Sequence, residues 1–162
     1  MAQVNPIPEG MHTLTPNLVL RDCAKAIEFY KQALGAREVI RMAAPDGKTV
    51  WHAELQIGDS RFFMNDEMPG MTQAAPSLEV PSQVTLWLYV EDCDAAFQRA
   101  IAAGGQEAMA PEDMFWGDRC ASINDPFGYC WSFATHMRDV TDEEVYQAAQ
   151  AHARSEQEQP GA

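Results

Sequence analysis

Residues 15–66 laid on residues 85–136 at a constant offset of 70 match at ten of 52 positions. The matches are Thr15/Thr85, Leu18/Leu88, Asp22/Asp92, Cys23/Cys93, Ala26/Ala96, Ala33/Ala103, Gly35/Gly105, Gly47/Gly117, Gly58/Gly128 and Phe63/Phe133. Chance supplies about three, at roughly 6% identity per position. Such a chain folds as two copies of one unit, and every element read in one copy is checked against the other. The period is too long and the copies too few for a solenoid.

The hydrophobic period changes in the same order within each copy. Leu14 to Leu20 and Val84 to Val90 alternate as strands, with Leu14, Leu18 and Leu20 on one face of the first and Leu86, Leu88 and Val90 on one face of the second. An Asp follows, then a helix. Cys23, Ala26, Ile27, Tyr30 and Leu34, and likewise Cys93, Ala96, Phe97, Ala100 and Ile101, keep helical spacing. Asp22 and Asp92 are placed to cap these helices, and Gly35 and Gly105 to end them. Three shorter strands come next: about 37–43, 50–57 and 61–65 in the first copy, and about 106–110, 119–124 and 129–135 in the second. Gly58-Asp59 reads as a hairpin turn, and Asp125-Pro126-Phe127-Gly128 as a type I turn.

Each copy is therefore a βαβββ unit of about 55 residues, too small to bury enough surface alone, so the two must pack together or pair with another chain. The units span 12–66 and 82–136, joined by a Pro- and Met-rich stretch, 67–81, that reads as a linker or lid loop. Thr141 and Glu144 form a capping box that opens a short C-terminal helix within 137–162, with fraying expected beyond about 155.

Eleven Lys plus Arg against 24 Asp plus Glu give a formal charge of -13, which disfavours nucleic acid and anionic membrane surfaces. The same surface would attract a cationic small molecule, or simply keep the chain dissolved. No apolar run is long enough to cross a bilayer, and the opening MAQVNPIPEG lacks the features of a targeting peptide, so a cytoplasmic protein is expected. Cys23, Cys93, Cys120 and Cys130 form no CxxC and no Cys/His cluster, and read as free thiols.

Tandem βαβββ units, each opening with a strand, an Asp and an amphipathic helix ending in Gly, together with a final DPxG turn, resemble the vicinal oxygen chelate superfamily. That superfamily includes glyoxalase I, bleomycin- and fosfomycin-resistance proteins and extradiol dioxygenases. The segments TPNLVLRDCAKAIEFYKQALGA, HAELQIGDSRFFMNDE, MFWGDR and INDPFGYCWSFATH are similar to its PhnB-like, glyoxalase-like branch. The resemblance covers about residues 12–136 and implies an α+β fold: a curved mixed-sheet cup, helices outside, a ligand in the concave face and, in many members, a homodimer. With the leucine faces turned to the helices, the cup is lined by Thr15, Asn17, His52, Glu54, Thr85, Trp87, Tyr89 and Ser132, with Trp116 and Arg119 near a rim and Asp118 as a partner for Arg119.

In metal-using relatives four His or Glu ligands sit in the first and last strands of the two modules. Carried over by the resemblance, these points fall on Thr15, Phe62, Thr85 and Ser132, and none is a strong donor for a divalent transition metal. Neither a metal nor another cofactor is therefore expected, although His52 and Glu54, with His136, leave room for a non-family site. Two functions stand. One is a bleomycin-resistance-like protein that holds a small molecule, aromatic or cationic, against Trp87, Tyr89 and Trp116. The other is a glyoxalase-like lyase or isomerase acting on a small carbonyl compound through His52 and Glu54, with or without a recruited metal, His52 serving as general base and Glu54 or Asn17 fixing its tautomer. The bland alternative is a dimeric scaffold whose cup is filled by its own side chains, against which Met64, Met68, Met71, Met109 and Met114 suggest an adaptable apolar surface.

Overall fold

A computed structural model describes residues 4–158. The first copy comprises β1 (Asn17–Leu20), α1 (Cys23–Leu34), β2 (Arg37–Ala43), β3 (Val50–Ile57) and β4 (Ser60–Asp66). The second comprises β5 (Thr85–Tyr89), α2 (Cys93–Ala102), β6 (Gln106–Asp113), β7 (Asp118–Asn124) and β8 (Cys130–His136), and is followed by α3 (Asp142–Glu158). The two copies build identical four-stranded mixed sheets, ordered β1-β4-β3-β2 and β5-β8-β7-β6, with a parallel first pair and antiparallel remainder. The architecture is α+β, as expected, and the sheets are open.

Local chemistry explains each helix. The Asp22 carboxylate accepts from the Lys25 amide and the Asp92 carboxylate from the Ala95 amide, each satisfying a first-turn donor. Gly35 ends α1 with φ at 67°, the left-handed cap. In the second copy the helix stops two residues earlier than the repeat predicts. Ala103 closes α2, and Gly104, not Gly105, takes the positive φ. A side chain at Gly105 would meet Ile123 and the Ala100 carbonyl, so that glycine is there for close packing.

The helix-facing sides carry the core: Leu18, Leu20, Ala53, Leu55, Phe62 and Met64 under α1, and Ala121, Ile123, Trp131 and Phe133 under α2, all in one cluster. Leu14, expected in the first strand, precedes it and is exposed, and Met64, grouped above with an adaptable apolar surface, is fully buried in the core. Thr141 and Glu144 exchange the bonds of a capping box at α3, which continues to Glu158, past the point where fraying is expected. Residues 159–162 lie outside the described residues.

Among the described residues no strand of one sheet pairs with a strand of the other, so side chains must join the modules. Helices α1 and α2 pack together, and Arg99 on α2 donates to the Ala33 carbonyl in the last turn of α1. The centre of the joint is Asp125. Fully buried, its carboxylate accepts from the Tyr30 hydroxyl of the other module (2.7 Å), the Trp131 indole (3.0 Å), and the amides of Phe127 and Tyr129 (2.8 and 2.9 Å). Burial pushes this carboxyl above the ordinary Asp range, while the four donors pull it back. Beside it the Tyr129 hydroxyl accepts from the Val19 amide and donates to the Val19 carbonyl, both at 3.0 Å, plugging the free edge of β1.

Replacing Tyr30 by Phe removes one donor from a buried carboxylate and should cost about 1–3 kcal/mol in urea unfolding. A loss smaller than about 0.5 kcal/mol would mean that Asp125 does not hold the joint.

Candidate functional site

Cβ atoms alternate along a strand, so the faces opposite the helices are fixed by the core. In the first sheet the outer face carries Asn17, His52, Glu54, Arg61, Phe63 and Asn65; in the second it carries Thr85, Trp87, Tyr89, Asp118, Ser122, Ser132 and His136. Asn17, His52, Glu54, Thr85, Trp87, Tyr89 and Ser132 thus lie on the expected faces.

Thr15, expected to line the cup, does not, and Arg119, expected near a rim, turns to the helix side. Thr15 precedes β1, where its hydroxyl donates to the His12 carbonyl. Arg119 sits on the helix side of β7, its guanidinium held by Asp94 of α2 and by Asp113. These carboxylates explain its direction: on the helix side Arg119 finds two partners, and they hold its guanidinium well above the usual range. Trp116 lies in the turn before β7, edge-on to Phe115 at 4.9 Å between centroids.

Asp118 does not partner Arg119. Nearly buried, it accepts from His136 Nδ1 (2.8 Å) and from the Tyr89 hydroxyl (3.2 Å), while His136 Nε2 meets Asp139 (3.1 Å). The hydrogen bonds to Asp118 and Asp139 raise the His136 pKa, and the Asp118 charge raises that of Tyr89. The sequence carried no local signal for this cluster, because its members are supplied by β5, β7 and β8.

On the first sheet His52 Nε2 lies 3.4 Å from Glu54 Oε1, as their shared strand face requires, and Arg61 Nη1 lies 3.7 Å from Glu54 Oε2. The His52 ring meets Phe63 edge-on at 5.0 Å. Ser132 shares a hydrogen bond with Ser122 at 2.8 Å.

Three hollows run along the seam between the modules. One, about 470 Å³, lies beside β1 between Asn17, Val19, Tyr129, Leu86 and the linker. A second, about 620 Å³, lies between the Gly58-Asp59 turn and Trp87, Tyr89, Asp92 and Arg99. The third, about 250 Å³, is walled by His12, Arg61, Phe62, Leu86, Trp87 and Trp131. Trp87 borders two of them; His52 and Glu54 border none of the three.

The last strands correct the repeat. Asn17 stands beside Phe63, whereas Trp87 stands beside Ser132, so the offset of 70 becomes 69 there. The cause is connection length: β6 reaches β7 through four residues, 114–117, where β2 reaches β3 through six, 44–49, which brings β7 forward by two, and the longer turn from Asp125 to Tyr129 restores only one of them. Phe62 is therefore buried on the helix side, and Phe63 takes its place on the outer face. No group of three or more His, Cys, Asp or Glu side chains among the described residues is arranged to hold a metal ion.

A fold of two βαβββ modules with this outer-face chemistry defines a class, and comparison with known proteins gives it a family. Residues 11–133 match the model of the glyoxalase/bleomycin resistance protein/dioxygenase superfamily, to which the chain belongs. An uncharacterised protein of Mycobacterium bovis is 41% identical over 138 residues, covering 83% of this chain and 90% of that one. TioX from a Micromonospora species has a crystal structure similar at a TM-score of 0.63 and 24% identity, over 78% of this chain and 99% of its own. A Bacillus cereus protein described as PhnB is similar at 0.59 and 18%, over 76% and 99%.

The His136 cluster has a measurable consequence. Its folded pKa lies above the ordinary value of 6.5, so its stabilisation is complete below that value and is lost as pH rises through the folded pKa. The melting temperature should fall as pH rises past about 6.5, and His136→Gln should flatten that slope. An unchanged slope in the variant would remove His136 from the linkage.

Proposed function

We propose that this protein is a metal-independent small-molecule binder of the superfamily, a cytoplasmic homodimer whose ligand sits against Trp87 at the seam and on the adjoining outer faces. The observation that carries this is the donor set. Where the register aligns the first and last strands, the outer-face residues are Asn17, Phe63, Trp87 and Ser132. An amide, a phenyl ring, an indole and a hydroxyl do not fit a divalent transition metal, which takes three or four strong donors.

Trp87 supports a ligand with a flat or apolar body. It is 47% exposed yet borders two hollows, where an aromatic wall offers large contact area at low entropy cost. The dimer is supported by the apolar side chains left open on the same outer faces: Ile40 and Met42 on the first sheet, Trp87 and Tyr89 on the second.

The second reading, a lyase or isomerase acting on a small carbonyl compound, is favoured by one contact. His52 and Glu54 are partly buried side by side, 3.4 Å apart, as a base and its orienting carboxylate need to be.

Native mass spectrometry with metal analysis on the untagged protein should show a dimer with less than stoichiometric transition metal. One tightly held metal per chain would overturn the first reading. Trp87→Ala should weaken any co-purified ligand by about 1–3 kcal/mol, whereas His52→Ala should abolish activity only under the second reading. His52→Ala leaving both affinity and activity intact would retire that second reading.

A further inference from the structure

Arg61 differs from Arg41 and Arg119, the two arginines that carboxylates hold at hydrogen-bond distance, and unlike Arg21, 4.0 Å from Glu67 and largely exposed, it is mostly buried. Arg41 is held by Glu38 at 2.9 and 2.8 Å and by Glu28, and Arg119 is held by Asp94 and Asp113. Arg61 has one carboxylate nearby, Glu54, at 3.7 Å. Its Nε is sealed from solvent and has no hydrogen-bond partner, and among the described residues it is the one buried side-chain nitrogen or oxygen in that condition. In a chain with 24 acidic and 11 basic residues, a guanidinium so poorly paired is conspicuous. A buried donor without an acceptor costs stability, and a site that retains one has a use for it.

The surroundings say which use. Arg61 borders the 250 Å³ cavity that also contains Trp87, Leu86 and His12. Over the guanidinium lies a turn, closed by the Met11 amide donating to the Pro8 carbonyl, with Gly10 at φ 76°. A Cβ at Gly10 would come within 2.8 Å of Arg61 Nη2 and 3.3 Å of Nε, so the backbone rests on the cation only because residue 10 has no side chain. His12 Nε2 donates to the Asp59 carbonyl at 3.2 Å and tethers this leader to the β3–β4 hairpin.

We propose that Arg61 is the receptor for an anionic group: the carboxylate of a compact small molecule whose apolar part lies against Trp87 and Leu86 in the same cavity. This rests on the small-molecule reading above and adds the ligand's charge. The planar guanidinium matches a carboxylate bidentately, and an acceptor along its Nε edge supplies the missing bond. Because the Pro8–Met11 turn seals that edge, binding displaces the turn from its tether. The acidic surface favours cations at long range, and inside the cavity Glu54 Oε2 lies 3.7 Å from Nη1, so a carboxylate is accommodated on the opposite edge, along Nε and Nη2, where the Gly10 turn rests. The cavity lies below the range of about 300–1,000 Å³ usual for drug-sized ligands, which sets a small body.

The test is ligand-observed NMR on the full chain with matched acids and amides: benzoate against benzamide, and 3-phenylpropionate against 3-phenylpropionamide. The acids should bind about ten- to hundredfold tighter. Arg61→Gln should bring the acids down to the level of the amides, and Arg61→Lys should retain part of the preference; melting curves check that both variants fold. Acids and amides binding alike, or acids binding Arg61→Gln undiminished, would overturn the carboxylate assignment and leave the small-molecule reading in place. Should Arg61→Gln fail to fold, an undiminished acid preference in Arg61→Lys would overturn it equally. Binding of neither partner in both pairs would count against both.

Discussion

The buried Asp125 carboxylate is the constraint on which the two-module arrangement depends. A carboxylate taken out of water is costly unless its lone pairs are filled, and here an indole, a phenol and two amides fill them. One of those donors, Tyr30, belongs to the other module, so the desolvation cost is met only when the modules are docked. The aromatic rings around it follow from the same geometry. Tyr30 meets Trp131, Phe62 and Phe127 edge-on, at centroid distances of 5.2 to 6.1 Å. Apolar burial supplies the bulk of the docking energy, and the hydrogen-bonded acid fixes the orientation.

That mode of joining decides where a ligand fits. Modules fused through helices and loops, with the sheets unpaired, leave gaps along the seam, and these gaps are the three hollows. The residues that meet there come from distant parts of the chain: Trp87 from β5, Arg61 from β4, His12 from the leader. The paired candidates within one sheet, His52 with Glu54 and Asp118 with His136, lie instead on the open faces. A second chain covering those faces would change their exposure and would not change the seam.

The repeat made the fold legible from sequence. Element order and the Asp caps could each be read twice, and the structure shows them, together with the hairpin at Gly58-Asp59 in the first copy. The site was legible only where a strand's period determines it. His52, Glu54, Trp87, Tyr89 and Ser132 fall on the right faces because alternation is a local property. Arg119 was misplaced because its partners, Asp94 on α2 and Asp113 on β6, are neighbours only after folding. Arg61, the proposed anion receptor, carried no such signal either. Its distinguishing property is a partner it lacks, and no spacing in a sequence encodes that.

The departure from perfect repetition carries more of the molecule's character than the repetition does. The first copy turns from its third to its fourth strand in two residues, the second in five. The extra length supplies Asp125 and Tyr129, and so both the buried acid and the hydroxyl that plugs β1. On the first sheet Phe62, paired with Leu55, turns into the core beside Trp131 at 5.9 Å and leaves Arg61 and Phe63 on the outer face. The short hairpin has no side chain of comparable reach. It borders the hollow beneath Trp87 and leaves that side of the seam unfilled. A loop difference of three residues thus closes the joint at one end and leaves it open at the other, where the candidate ligand-binding residues stand.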